Sequence, residues 1–96
     1  MKQYILYAWD GPDELAHDRR WAARPAHFDC ARKLKSTGNF IQGGAILDQE
    51  GNMIGSMMLL QFEQESELQA WLSEEPYIRG NVWKKWELHP FRLAEI

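Results

Sequence analysis

The stretch Met53-Ile54-Gly55-Ser56-Met57-Met58-Leu59-Leu60-Gln61-Phe62 reads as a strand of ten residues. Successive side chains of a strand point to opposite faces. Ile54, Ser56, Met58 and Leu60 therefore share one side, and Met57 and Leu59 the other. Both sides are largely apolar, the mark of a strand covered from above and below. The run Lys2 to Trp9 has the same character, with Tyr4, Leu6 and Ala8 on one face and Ile5, Tyr7 and Trp9 on the other. Two such strands belong at the centre of one sheet.

The remaining elements fall around these two. Asp10-Gly11-Pro12-Asp13 is a turn. Glu14 to Ala23 is mixed in character, with a short helix capped by Asp13 as the expectation. Pro25 suits the first position of a helix, so the first main helix is expected from Pro25 to Thr37, with Gly38 stopping it. Phe40 to Leu47 reads as a second strand, interrupted by Gly43-Gly44, and Asp48 to Asn52 as the hairpin into Met53. Ser66 and Leu68 open a second helix that Pro76 closes. Val82 to Leu88 makes a fourth strand, with a tail from Pro90 onward. Strand, helix, strand, strand, helix, strand with right-handed crossovers gives a four-stranded antiparallel sheet with two helices on one face, the ferredoxin-like α+β arrangement. The 96 residues are read as one domain.

In that layout the outer faces of the two central strands have no cover from the helices. Such a patch exceeds what soluble monomers expose, so a second copy packed sheet to sheet about a two-fold axis is expected. The competing reading is closure of the face by the tail Phe91 to Ile96.

Composition sets the outer limits. Apolar residues make up 45% and charged residues 26% of the chain, ordinary globular values. A net charge of -3 opposes a nucleic-acid partner, which calls for a basic footprint. RNA-recognition domains share the strand order, but their sheet-face aromatic signature is not made by Phe62 or the first-strand aromatics. One cysteine, Cys30, rules out an internal disulfide and reads as a small buried hydrophobe. His17 and His89 form no metal-ligand spacing with His27. The run from Met1 straight into a strand leaves no room for a signal peptide, and no apolar run reaches membrane-spanning length. The expected setting is cytoplasmic, with no membrane partner.

Two ionisable residues interrupt apolar helix stripes. Glu75 continues Leu68, Trp71 and Leu72; His27 begins a stripe of Cys30, Ala31 and Leu34. Both should point toward the sheet. His27 in a first helical turn would be kept neutral by the helix dipole, and Glu75 in a last turn would be disfavoured as a carboxylate. If they meet, Glu75 orients the imidazole and His27 moves a proton. A structural role for a lone helix-face histidine is the rival reading. Gly43 and Gly44 mark either a close backbone approach by a ligand or a bulge. Arg19, Arg20 and Arg24 suit an anionic substrate, a solvated face, or salt bridges to Glu74 or Glu75. Trp83 and Trp86, three apart on one strand, are expected on opposite faces.

Arg24-Pro25-Ala26-His27-Phe28, Gly38, Gly43-Gly44-Ala45-Ile46-Leu47, Gly51, Gly55-Ser56 and Glu75-Pro76-Tyr77 together resemble the YCII family of small dimeric α+β barrel proteins. The likeness runs from Met1 to about Phe91. The family pattern pairs a helix-start histidine with an aspartate in an Asp-Pro-Tyr or Asp-Pro-Phe motif, proposed as an active-site dyad. Carried over, the histidine is His27, and the acid position holds Glu75 instead of aspartate, longer by one methylene. The family is related to muconolactone isomerase-like barrels and includes members acting in the degradation of chlorinated aromatic compounds. The resemblance implies a homodimeric enzyme transferring protons on a compact, cyclic, oxygenated small molecule, an isomerase or a lyase of dehalogenase type. His27 and Glu75 would be catalytic, and Arg24, Gly43, Gly44, Ser56 and Tyr77 substrate-binding. That chemistry needs no metal or organic cofactor. The alternative is a non-catalytic ligand-binding or accessory module that keeps the pocket without turnover.

Overall fold

In the computed structural model, which describes residues 1–96, the elements are β1 (Lys2–Asp10), α1 (Ala16–Ser36), β2 (Phe40–Leu47), β3 (Met53–Phe62), α2 (Glu65–Glu74), α3 (Pro76–Arg79) and β4 (Trp83–Phe91). The strands form one antiparallel sheet in the order β2-β3-β1-β4. β1 and β3 are central, and the fold is ferredoxin-like α+β, as the two doubly apolar runs require. Leu6 and Ala8 of β1 and Met58, Leu60 and Phe62 of β3 build the core with Leu68, Tyr77, Val82 and Trp83.

The opposite sheet face carries Ile5, Tyr7, Trp9 and Met57, alternating with the core residues. Tyr7 is 38% and Trp9 37% exposed. The tail does not close this face. Its residues beyond Phe91 are exposed, and its backbone is tied back only where the Leu93 amide donates to the Gln3 side chain, 2.7 Å away.

Three expectations are corrected. α1 begins at Ala16, nine residues before Pro25, and runs through the proline. A proline inside a helix removes one hydrogen bond and crowds the preceding turn, at about 3 kcal/mol. Here Trp21, Ala22, Pro25 and Ala26 all face outward, where water can take the freed carbonyl. The opposite stripe, Ala16, Arg20, Ala23 and His27, packs continuously inward and keeps the helix whole. Asp13 does not cap it by its side chain. Its carboxylate is engaged by both terminal nitrogens of Arg19 at 2.7 and 2.8 Å.

The second correction concerns Pro90, which lies inside β4. The strand sits at the sheet edge, where a missing amide is tolerated. Third, Trp83 and Trp86 share a face. The register shifts between Trp9 and Asp10, so that Trp83 pairs with Asp10 and Trp86 with Ala8, leaving Lys84 as the extra residue. Pro76 ends α2 as expected and at once opens the short helix α3, occupying the first-turn position that suits it.

Gly38 stops α1 as expected, with φ of 78°. The Asn39 amide bonds the Leu34 carbonyl at 2.8 Å and the Gly38 amide that of Lys35 at 3.1 Å, a Schellman closure.

Candidate active site

One cavity of about 320 Å³ lies between α1 and the β2–β3 half of the sheet. Its wall brings together His27, Arg20 and Arg24 from α1, Gly43 and Gly44 from β2, Ser56 from β3 and Tyr77 from α3. Glu75 stands directly behind His27.

His27 is 8% exposed and Glu75 1%. The His27 Nδ1–H donates to Glu75 Oε1, and the same oxygen accepts the Tyr77 amide at 3.2 Å. The second carboxylate oxygen is buried without a partner. The Nδ1 bond fixes the tautomer: the proton sits on Nδ1, and Nε2 keeps its lone pair. Nε2 meets no protein partner and is not sealed from the cavity. The imidazole stacks on Tyr77, centroids 3.9 Å apart and planes 12° from parallel, with the Trp83 ring edge-on at 5.9 Å.

The helix-dipole expectations are corrected by these positions. His27 is the twelfth residue of α1 and lies far from its N-terminus. Glu75 follows the last turn of α2 with an extended backbone (φ −61°, ψ 121°) and caps the N-terminus of α3. There the free amides favour a carboxylate instead of opposing it. Pro76 is the cause, since it forces its predecessor out of helical conformation. Glutamate in place of aspartate still reaches the imidazole.

The arginines also divide differently. None bonds Glu74 or Glu75; Glu74 meets Arg79 instead. Arg19 pairs with exposed Asp13, whose carboxyl is held well below the usual carboxylate range by that guanidinium. Arg20 is buried: one terminal nitrogen lies 3.0 Å from both oxygens of Asp10, and the other donates to Ser56 Oγ at 2.9 Å. Its guanidinium carbon is 4.8 Å from the centre of the Tyr77 ring. Asp10 and Ser56 face inward by simple strand alternation, in line with Ala8 and Met58, but their meeting with Arg20 depends on α1 beginning at Ala16, which the local pattern around Pro25 conceals. Arg24 meets no carboxylate and lies over Trp21 and Phe28, 5.0 and 4.4 Å from their centroids, at the cavity wall.

Tyr77 presents a hydroxyl with no protein partner, and burial pushes its ionisation above the ordinary phenol value. Cys30 is half-buried and its thiol is pushed up by burial and by Glu75, which disfavours a nucleophilic thiolate. His17 accepts the Trp21 indole N–H on the outer side of α1.

The glycine pair is not a bulge, since the irregularities of β2 fall at Phe40/Gln42 and Ile46/Leu47. A Cβ on Gly43 would stand 2.8 Å from the Met57 carbonyl oxygen, whereas one on Gly44 would meet nothing within 4 Å.

Fold and site together define a small ferredoxin-like protein with a histidine and carboxylate joined under a cavity. Residues 2–92 match the YCII-related domain, and the chain belongs to that family. It is 28% identical over 95 residues to protein YciI of Escherichia coli, covering 93% of this chain and 95% of that one. A protein of Haemophilus influenzae is 27% identical over 95 residues with the same coverage. Among solved structures, 5-chloro-2-hydroxyhydroquinone dehydrochlorinase from Burkholderia phenoliruptrix, in complex with 2,5-dihydroxybenzoquinone, is similar with a TM-score of 0.82. The identity is 18%, over 96% of this chain and 95% of that one. A dimeric ferredoxin-like protein from Jannaschia has a TM-score of 0.60 at 13% identity, over 97% and 100%. At these identities the structural likeness is one of fold. No helix is long and apolar enough to cross a membrane.

Proposed function

We propose that the chain is a homodimeric enzyme in which His27, held by Glu75, moves a proton on a small cyclic oxygenated substrate. The observation that carries this is the unpartnered Nε2 of a buried imidazole whose Nδ1–H is held by a carboxylate. An imidazole so held accepts a proton at Nε2 and is stabilised as it becomes charged. The proton leaves an O–H or C–H bond beside a carbonyl, and the bonding pair moves into the ring. Reprotonation at another carbon completes an isomerisation; expulsion of halide as an anion completes an elimination. The dehydrochlorinase of similar fold, with its quinone ligand, supports the second route. Arg24, Ser56 and Tyr77 hold substrate oxygens, and the bare Gly43–Gly44 backbone lets a flat ring lie close.

A second copy covers the face of Ile5, Tyr7 and Trp9. The apolar character of that face and the dimeric protein of similar fold support this.

The test is a screen of small lactones, enols and halogenated hydroquinones in deuterated water, following deuterium uptake and halide release. Turnover that disappears in His27→Ala upholds the proposal. Turnover that survives in that variant overturns it, and saturable binding without product identifies an accessory module.

A further inference from the structure

We infer that Ser56 is a hydrogen-bond donor into the cavity, and that the ligand is a compact ring bearing a charged oxygen at that point. The inference rests on reading this cavity as the substrate site and adds what the site selects.

A serine hydroxyl has two acceptor lone pairs and one hydrogen. Ser56 Oγ receives the Arg20 guanidinium N–H at 2.9 Å and the Trp83 indole N–H at 3.2 Å. Guanidinium and indole nitrogens only donate, so both lone pairs are taken and Ser56 has no freedom to reverse either bond. Its hydrogen has no acceptor in the protein, although the residue is 2% exposed. The cavity it lines is where that hydrogen finds a partner. A buried hydroxyl left to donate is costly unless water or a ligand accepts.

The same two bonds sharpen the donor. Accepting from a cation polarises the hydroxyl, and chains of hydrogen bonds reinforce one another. Arg20 is itself neutralised by Asp10, so its own charge is satisfied within the wall. Arg24 is not, and neither is Lys35: both line the same cavity with no carboxylate partner, leaving an excess of positive charge on the wall. A polarised O–H beside an unmatched cation selects an oxygen carrying negative charge, as in an ionised enol or phenol. His27 Nε2 then faces a neighbouring position of that ring.

Tropolone tests this, since its ionised form is a flat seven-membered ring whose charge is shared by two adjacent oxygens. Tropone, with one carbonyl oxygen and no charge, is the control. By calorimetry the full chain is expected to bind tropolone at least about tenfold more tightly than tropone, the scale of a charge-assisted hydrogen bond. Ser56→Ala should lose tropolone affinity by a similar factor, and Ser56→Thr, which keeps the hydroxyl, should restore most of it. Should Ser56→Ala fail to fold, the wild-type protein still decides. Saturating tropolone should move the Trp83 indole N–H resonance downfield, because a donating hydroxyl is a better acceptor. Wild-type affinity in a folded Ser56→Ala, a preference for tropone, no binding of tropolone, or a Trp83 resonance unmoved by bound tropolone each overturns the inference. Absence of turnover on every ring tested would instead sink the proton-transfer reading and leave Ser56-dependent binding intact.

Discussion

His27 and Tyr77 are bound to each other twice: their rings stack at 3.9 Å, and one oxygen of Glu75 accepts from the imidazole of the first and the backbone amide of the second. The histidine therefore cannot turn without disturbing the start of α3. A ring held on its face and at its edge is preorganised, which is what a base needs to present one nitrogen to a substrate.

Glu75→Ala should be among the most destabilising single changes. It removes the cap of α3, worth about 1 kcal/mol, and strands the buried Nδ1–H of His27, at about 1–3 kcal/mol. Urea unfolding should show a loss of about 2–4 kcal/mol. Glu75→Gln keeps an oxygen for the cap and should lose less.

Asp10 and Arg20 form a buried ion pair, and removing one partner leaves the other charge uncompensated. Asp10→Ala should cost about 3–5 kcal/mol. The double variant Asp10→Leu, Arg20→Met should recover a large part of that in a double-mutant cycle, since neither charge then remains.

Adjacent glycines should respond oppositely. Gly43→Ala places a methyl group within 2.8 Å of the Met57 carbonyl oxygen and should lower the melting temperature. Gly44→Ala enters open space and should change stability by less than about 0.5 kcal/mol. A loss of ligand affinity or of dimer in Gly44→Ala alone would mark that glycine as kept for a partner.

Tyr77 ionises above the ordinary tyrosine range because burial penalises the phenolate. Its raised folded-state value means the native state holds the proton more tightly than the unfolded chain. That stabilisation is complete below the ordinary value near pH 10 and is lost as pH rises through the folded value. Unfolding followed from pH 9 to about 12 should fall off less steeply in Tyr77→Phe.

Trp9→Lys should dissociate the proposed dimer without unfolding the monomer, as Trp9 packs on the open face and not in the core. Sedimentation at several concentrations checks it; an unchanged dimer mass would place the interface elsewhere.

The fold was legible because the two central strands display it directly: apolar residues on both faces of Lys2–Trp9 and Met53–Phe62 dictate their places in the sheet. That His27 and Glu75 both turn inward was expected from helix periodicity; that they meet was left open by the sequence and is shown by their contact. Their electrostatic settings were not legible. Pro25 reads locally as a helix start, yet the inward stripe from Ala16 to His27 overrides it. Pro76 reads as a helix stop, yet it also starts α3 and makes Glu75 a cap. The inward turn of Trp83 onto Ser56 was hidden for a different reason. It rests on a one-residue slip between β1 and β4 that no side-chain pattern announces.

That slip makes the chemistry of the cavity depend on counting. Lys84 is a surface residue, but by standing outside the pairing it lets Trp83 face inward with Trp86. Deleting it would leave Trp83 two residues from Trp86 in a regular strand, still opposite Asp10 and still facing inward, whereas drawing Lys84 into regular pairing would turn the indole to the outer face and hand one lone pair of Ser56 back to solvent. The pairing of this edge strand, quite apart from its side chains, is thus part of what the pocket can recognise.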